Sequence, residues 1–206
     1  KGQSDIFIFG VSSGAIEQLT NDCWDDQHPV FVKNAKEIVF ESNRLSDTLK
    51  SDDGGFFNRF NRNMDLLMMN YPVTSKALVR VVRTPDIDEK CPQPLGRDKI
   101  CYLTDKNGIY NRVIAEFDST IAFVDTTEHY RYFFKSQPVS NTDRTILSQC
   151  ISENGEFYTD HINANGRDLL LYGKLNTKPC SEPMNSWYRG FVSPAITNPD
   201  DYRDSQ

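Results

Sequence analysis

The chain has 206 residues, a formal charge of −6, and 38% hydrophobic and 12% aromatic residues. Thirteen Phe and nine Tyr supply a real core and favour strand over helix. The acidic balance and the lack of any Lys/Arg cluster argue against nucleic acid or an anionic membrane surface as partner. No run approaches the roughly 20 apolar residues of a membrane helix, and Lys1 opens in mid-pattern, as in a piece of a longer protein.

In chain order, SDIFIF (Ser4 to Phe9) alternates Ile6 and Ile8 with Phe7 and Phe9, which predicts a strand buried from both faces. Ser12-Ser13-Gly14 is a hairpin turn, and the return strand ends at Leu19-Thr20. An acidic loop follows, with Asp22, Asp25 and Asp26 around Trp24. Pro29 opens the next strand, Asn34 supplies a turn, and a further strand ends Ser42-Asn43-Arg44.

The pattern then recurs. MDLLMM matches SDIFIF with an offset of 65 − 5 = 60 between Asp5 and Asp65. After ALVRVV, Glu89, Pro92, Lys99, Ile100 and Tyr102 take the places of Asp26, Pro29, Glu37, Ile38 and Phe40. IYNRVIAEF and STIAFVD read as two strands that pair back on each other, and Tyr130, Tyr132 and Phe134 favour strand in TTEHYRYFFK. A weaker third copy runs from Pro138 through TILSQCI, EFYTDHI and RDLLLYGKL, with turns at Asn154-Gly155 and Asn165-Gly166.

About twelve short strands and no helix predict an all-β chain over residues 1–178, followed by a Pro-rich linker or covering tail over 179–206. The order Leu19-Thr20, Asp26, Pro29, Phe31, Lys36, Ile38, Phe40, Ser42, Arg44 resembles the TolB-type, WD40-like β-propeller repeat. Its Ser-Pro-Asp-Gly turn is here Val32 to Ala35. The resemblance covers residues 4 to about 150 and implies a β-propeller fragment of about three to four four-stranded antiparallel blades. It also implies a non-catalytic interaction module in the periplasm or at the outer membrane of a Gram-negative bacterium, binding other envelope proteins. The region from Gly108 to Leu147 looks like large TolB-like envelope proteins of Bacteroidetes, which suggests a secretion or outer-membrane assembly machine. Two alternatives carry similar repeats: the propeller domain of a prolyl-oligopeptidase-type peptidase, and a propeller-fold polysaccharide lyase or glycosidase.

No nucleophile elbow, phosphate loop or dinucleotide fingerprint is present, so no catalytic residue and no cofactor is expected. His28, His129 and His161 are scattered and lack metal-ligand spacing. The acidic groups at Asp22, Asp25, Asp26 and at Asp86, Asp88, Glu89 lack the spacing of a calcium loop, and a structural role for them is favoured. The five cysteines read as isolated, mostly buried thiols, with Cys91 and Cys101 as the one pair placed near each other. Partner contact is expected on the insertion from Leu45 to Asn63, where Phe56, Phe57 and Phe60 interleave with Arg59 and Arg62. The alternative is that these rings fold back on their own sheet. Trp24 is a second candidate, against a role in sealing two sheets.

Overall fold

A computed structural model describes residues 3–49, 63–84, 86–124, 128–181 and Ser186. Among them there are thirteen strands and no helix, so the all-β expectation holds. β1 (Phe7–Phe9) and β2 (Ile16–Gln18) form an N-terminal pair. The first sheet holds β3 (Asp26–Val32), β4 (Glu37–Ser42), β5 (Asp65–Asn70) and β6 (Val79–Arg80). The second holds β7 (Glu89–Leu95), β8 (Lys99–Thr104), β9 (Asn111–Val124) and β10 (Glu128–Pro138). The third holds β11 (Ile146–Ile151), β12 (Phe157–Ala164) and β13 (Arg167–Lys174).

Every sheet is an antiparallel meander, and β3 lies against β7 and β7 against β11, so the first strands of successive sheets adjoin. Three apolar layers fill the spaces between sheets. Ile6, Leu19, Ile38, Phe40, Leu67 and Met69 sit between the N-terminal pair and the first sheet. Val39, Leu66, Met68, Ile100, Tyr102 and Val113 sit between the first and second. Leu95, Cys101, Ile114 and Ile151 sit between the second and third. Alternation explains this: Leu66 and Met68 point one way along β5, Leu67 and Met69 the other.

The sequence repeat is also a repeat of hydrogen bonds. The amide of Asp26 donates to Ser4 O at 2.9 Å, that of Glu89 to Met64 O at 2.7 Å, and that of Ile146 to Tyr110 O at 3.1 Å. Ser4 N–H donates to Asp25 Oδ1 and Met64 N–H to Asp88 Oδ1, both at 2.9 Å. Asp25 N–H donates to Asn43 Oδ1 at 2.9 Å and Asp88 N–H to Asp105 Oδ1 at 2.8 Å. The amides of Glu89 and Ile146 tie the start of a first strand to the chain entering the third strand of the sheet before it, and that of Asp26 ties β3 to the chain entering β1, whereas the Asp25–Asn43 and Asp88–Asp105 bonds lie within one sheet.

Four expectations are corrected. Among the described residues strand β1 is covered on one side: Ile6 is buried against the first sheet, whereas Phe7 is 53% and Phe9 60% exposed. Pro29 and Pro92 do not open β3 and β7. They sit inside them, at register shifts between Gln27 and Val30 and between Lys90 and Gln93, where a bulge removes the need for the missing N–H. STIAFVD does not pair back on IYNRVIAEF. The strand continues through Asp118-Ser119 to Val124, and its partner is β10. The thiols are not mostly buried: only Cys101 is, Cys23 and Cys150 are exposed, and none of the five forms a disulfide.

The turn between β3 and β4 is strained. Lys33, Asn34 and Ala35 have φ of 50°, 57° and 62°, the left-handed region that penalises a Cβ. Lys33 Nζ steadies it, 3.0 Å from Glu37 Oε2 and 4.2 Å from the centre of the Phe117 ring. Ala35→Gly is therefore expected to raise stability by roughly 0.5–1 kcal/mol, read as a higher urea midpoint. A lower midpoint would show that the turn is relaxed as it stands.

Candidate functional site

Where the first strands adjoin, their irregular positions line one cleft of about 290 Å³, with His28, Pro29, Cys91, Pro92, Ser148 and Gln149 in its wall. The cause is local. Proline interrupts β3 and β7 at equivalent places, and the residue before it swings to positive φ, 47° at His28 and 52° at Cys91. β11 carries its own register shift between Ile146 and Ser148.

A buried carboxylate organises the floor. Glu41 Oε1 lies 2.9 Å from His28 Nδ1 and accepts from Cys91 N–H at 2.5 Å, linking β3, β4 and β7. Gln149 carries the network on: its Nε2 donates to Cys91 O at 3.0 Å, and its Oε1 accepts from Arg112 Nε at 2.9 Å. Arg112 pairs in turn with Asp160 and lies 4.3 Å from the centre of the Tyr158 ring. Three sheets are thus joined by one polar chain.

The chemistry open to this cleft is limited. Burial, and then the Glu41 carboxylate, push the Cys91 thiol up from its ordinary value, so it is a neutral thiol at physiological pH. Glu41 lies against the imidazole Nδ1 of His28 and its charge works against the Cys91 thiolate.

The acidic groups serve the frame. Arg44, wholly buried, is held by Asp26 at 2.5 Å and Asp22 at 3.1 Å, with Thr48 O 3.1 Å away. Asp25 and Asp88 accept backbone amides as described, and Asp88 also accepts from Tyr110 Oη at 3.1 Å. Among the described residues no group of three or more His, Cys, Asp or Glu is arranged to hold a metal ion. His161 Nε2 is 3.2 Å from Asp168, on the exposed side of the third sheet.

Phe56, Phe57, Arg59, Phe60 and Arg62 lie outside the described residues. The insertion that carries them does run between β4 and β5, and its near end is anchored by Leu49 N–H to Lys76 O at 2.7 Å. Trp24 is 3% exposed, so its ring offers no surface to a partner. Sequence reasoning missed Glu41 and Gln149, which look like ordinary strand residues. It also missed the exposed outer face of the N-terminal pair, where Phe9, Val11 and Ile16 stand beside Phe7. No protein-family model and no curated protein matches the chain.

A second cavity, about 180 Å³, lies between the first and second sheets, against Val82, Ile87, Glu89, Tyr102, Val113 and Pro138. Glu89 accepts from Thr84 Oγ1 and faces Asp65, which pairs with Arg80. Burial first, and then the Asp65 carboxylate, push Glu89 up to about 9, so it is a neutral acid that shares its proton with Asp65. Its counterpart Asp26 takes a guanidinium instead.

The linkage has a definite sign. The folded chain keeps this proton up to about pH 9, whereas the unfolded chain releases it near the ordinary carboxyl value. Stability from this group is therefore fully present below about pH 4 and declines as pH rises towards about 9. Glu89→Gln keeps a neutral donor and acceptor in place. It should flatten that decline, whose slope is on the order of 1 kcal/mol per pH unit, in urea titrations across the window. An unchanged slope would mean that Glu89 is ionised in the folded chain.

Proposed function

We propose that the chain is part of a TolB-like, WD40-like β-propeller acting as a non-catalytic protein-interaction module in the cell envelope of a Gram-negative bacterium. Support for the propeller comes from the repeated joint: meanders of up to four strands follow one another, with first strands adjoining and the same backbone bonds at each junction. The envelope setting and envelope partners rest on the resemblance of the Asp26-to-Arg44 segment to that repeat.

One observation carries the interaction role. The outer face of the N-terminal pair presents Phe7, Phe9, Val11 and Ile16, each more than half exposed, side by side on a hairpin. A contiguous apolar patch of this kind marks a surface that another protein covers. The cleft between the first strands, by contrast, has its carboxylate already committed and its thiol held neutral.

Chemical cross-linking of the purified chain in a solubilised envelope fraction, followed by mass spectrometry, tests the reading. Phe7→Ser with Phe9→Ser should cut the recovered partner at least about tenfold, since a few buried rings dominate such contacts. The thermal transition should stay in place. Full recovery of the partner by a stably folded double variant, or turnover of a peptide or polysaccharide substrate by the purified chain, would overturn it.

A further inference from the structure

We propose that the cavity between the first and second sheets is a binding site for a small primary ammonium with a compact apolar body, held by Glu89. This goes beyond the interaction role and does not depend on it. The internal repeat indicates which chemistry suits Glu89. Its counterpart Asp26 is buried at the first joint and is met there by the guanidinium of Arg44 at 2.5 Å. Glu89 is as deeply buried, at 1% exposed, and its Oε1 accepts from Thr84 Oγ1. No donor among the described residues reaches its Oε2, and the side chain lines the cavity. Buried carboxyl oxygens normally receive a donor, so an unserved one on a cavity wall marks where a ligand's N–H fits.

Charge selects a cation. Asp65 on β5 and Asp105, just after β8, both face Glu89, and each pushes it up. Arg80 is turned to Asp65 and Asp47, and Arg83 acts on Asp65. Lys106 stands in the cavity wall, at the place in the sequence pattern that Arg44 takes in the first joint. Glu89 is thus an acid among carboxylates, kept neutral by a proton that an ammonium can replace. The exchange balances: the ammonium donates an N–H to Oε2, the Glu89 proton leaves to solvent, and the charge of the site is unchanged.

The wall suits the rest of such a molecule. Val82, Ile87, Tyr102 and Val113 form its apolar part, and the hydroxyls of Thr104 and Ser136 offer acceptors for further N–H groups. A volume of about 180 Å³ takes one small ring or a short branched chain, since about 150 Å³ is enough for benzene. A ligand carrying its own carboxylate would meet Asp65 and Asp105, so the class is a simple amine and not an amino acid.

Isothermal titration calorimetry of the 206-residue chain with benzylammonium tests this. Only ionised Glu89 takes the cation, and the free acid is held at about 9. Affinity should therefore rise about tenfold per pH unit between about pH 6 and about pH 8. About one proton should be released per amine bound, read from the heats in two buffers of different ionisation enthalpy. Benzyl alcohol, the neutral counterpart, should bind at least about tenfold more weakly at the upper pH. Glu89→Gln should lose both the amine and the proton release. If that variant unfolds, Val82→Phe, which fills the apolar end of the cavity, replaces it, and the same loss is required. No binding of benzylammonium at any pH overturns the proposal. So does an affinity indifferent to pH, or equal binding of the alcohol, either of which would leave an apolar cavity in which Glu89 takes no part.

Discussion

Each interior sheet of this chain is apolar on both faces, and that constraint governs the rest of the structure. A strand with Val39 on one side and Ile38 and Phe40 on the other is stable only between two neighbours. The burial is the main favourable term, at roughly 25 cal/mol per Å² of apolar surface removed from water. Stacking sheet upon sheet satisfies it for the first and second sheets. Among the described residues, Phe7 and Phe9 stand exposed on the N-terminal pair and Leu170 and Tyr172 on the third sheet.

Packing of this sort is non-directional and does not by itself fix how one sheet sits on the next. Directional bonds do that. The amides of Asp26, Glu89 and Ile146 reach back to the carbonyls of Ser4, Met64 and Tyr110, and the flanking carboxylates of Asp25 and Asp88 hold the amides of Ser4 and Met64. Because the donor lies at the start of β3, β7 or β11 and the acceptor just before β1, β5 or β9, the bonds set the offset between successive sheets. First strands are then brought together, and their bulges face one cleft. Left-handed φ at His28 and Cys91 is tolerated there because Glu41 binds both residues at once.

Much of this was legible in the chain. Alternation at Leu66 to Met69, the turn at Ser12 to Gly14, and the spacings of nine from Pro29 to Ile38 and eight from Pro92 to Ile100 are local signals, and local signals predict strands well. The strand after Asp118 was misread because a serine following an aspartate imitates a turn, whereas only pairing with β10 decides where β9 ends. Coverage of β1 could not be read from its own residues, since apolar alternation reports what a face requires and not whether a neighbour meets it. Glu41 was invisible for a related reason: its importance comes from His28 and Cys91, which reach it from other strands.

The decay of the repeat along the sequence follows from how a buried polar group is satisfied. Where the first joint buries Asp26, a guanidinium from Arg44 compensates it. At the matching place in the second joint stands Glu89, with Lys106 where Arg44 would be, and the acid is instead kept neutral beside Asp65 and Thr84. The third joint uses Arg112 and Asp160, with Gln149 between them and Cys91. A buried charge is costly unless paired or neutralised, but the cost does not specify which partner does it. The backbone bonds that set the offset between sheets need no particular side chain at the donor or at the acceptor. The side chains around them are free to change as matched sets, so the geometry persists into the third sheet after the sequence pattern has faded.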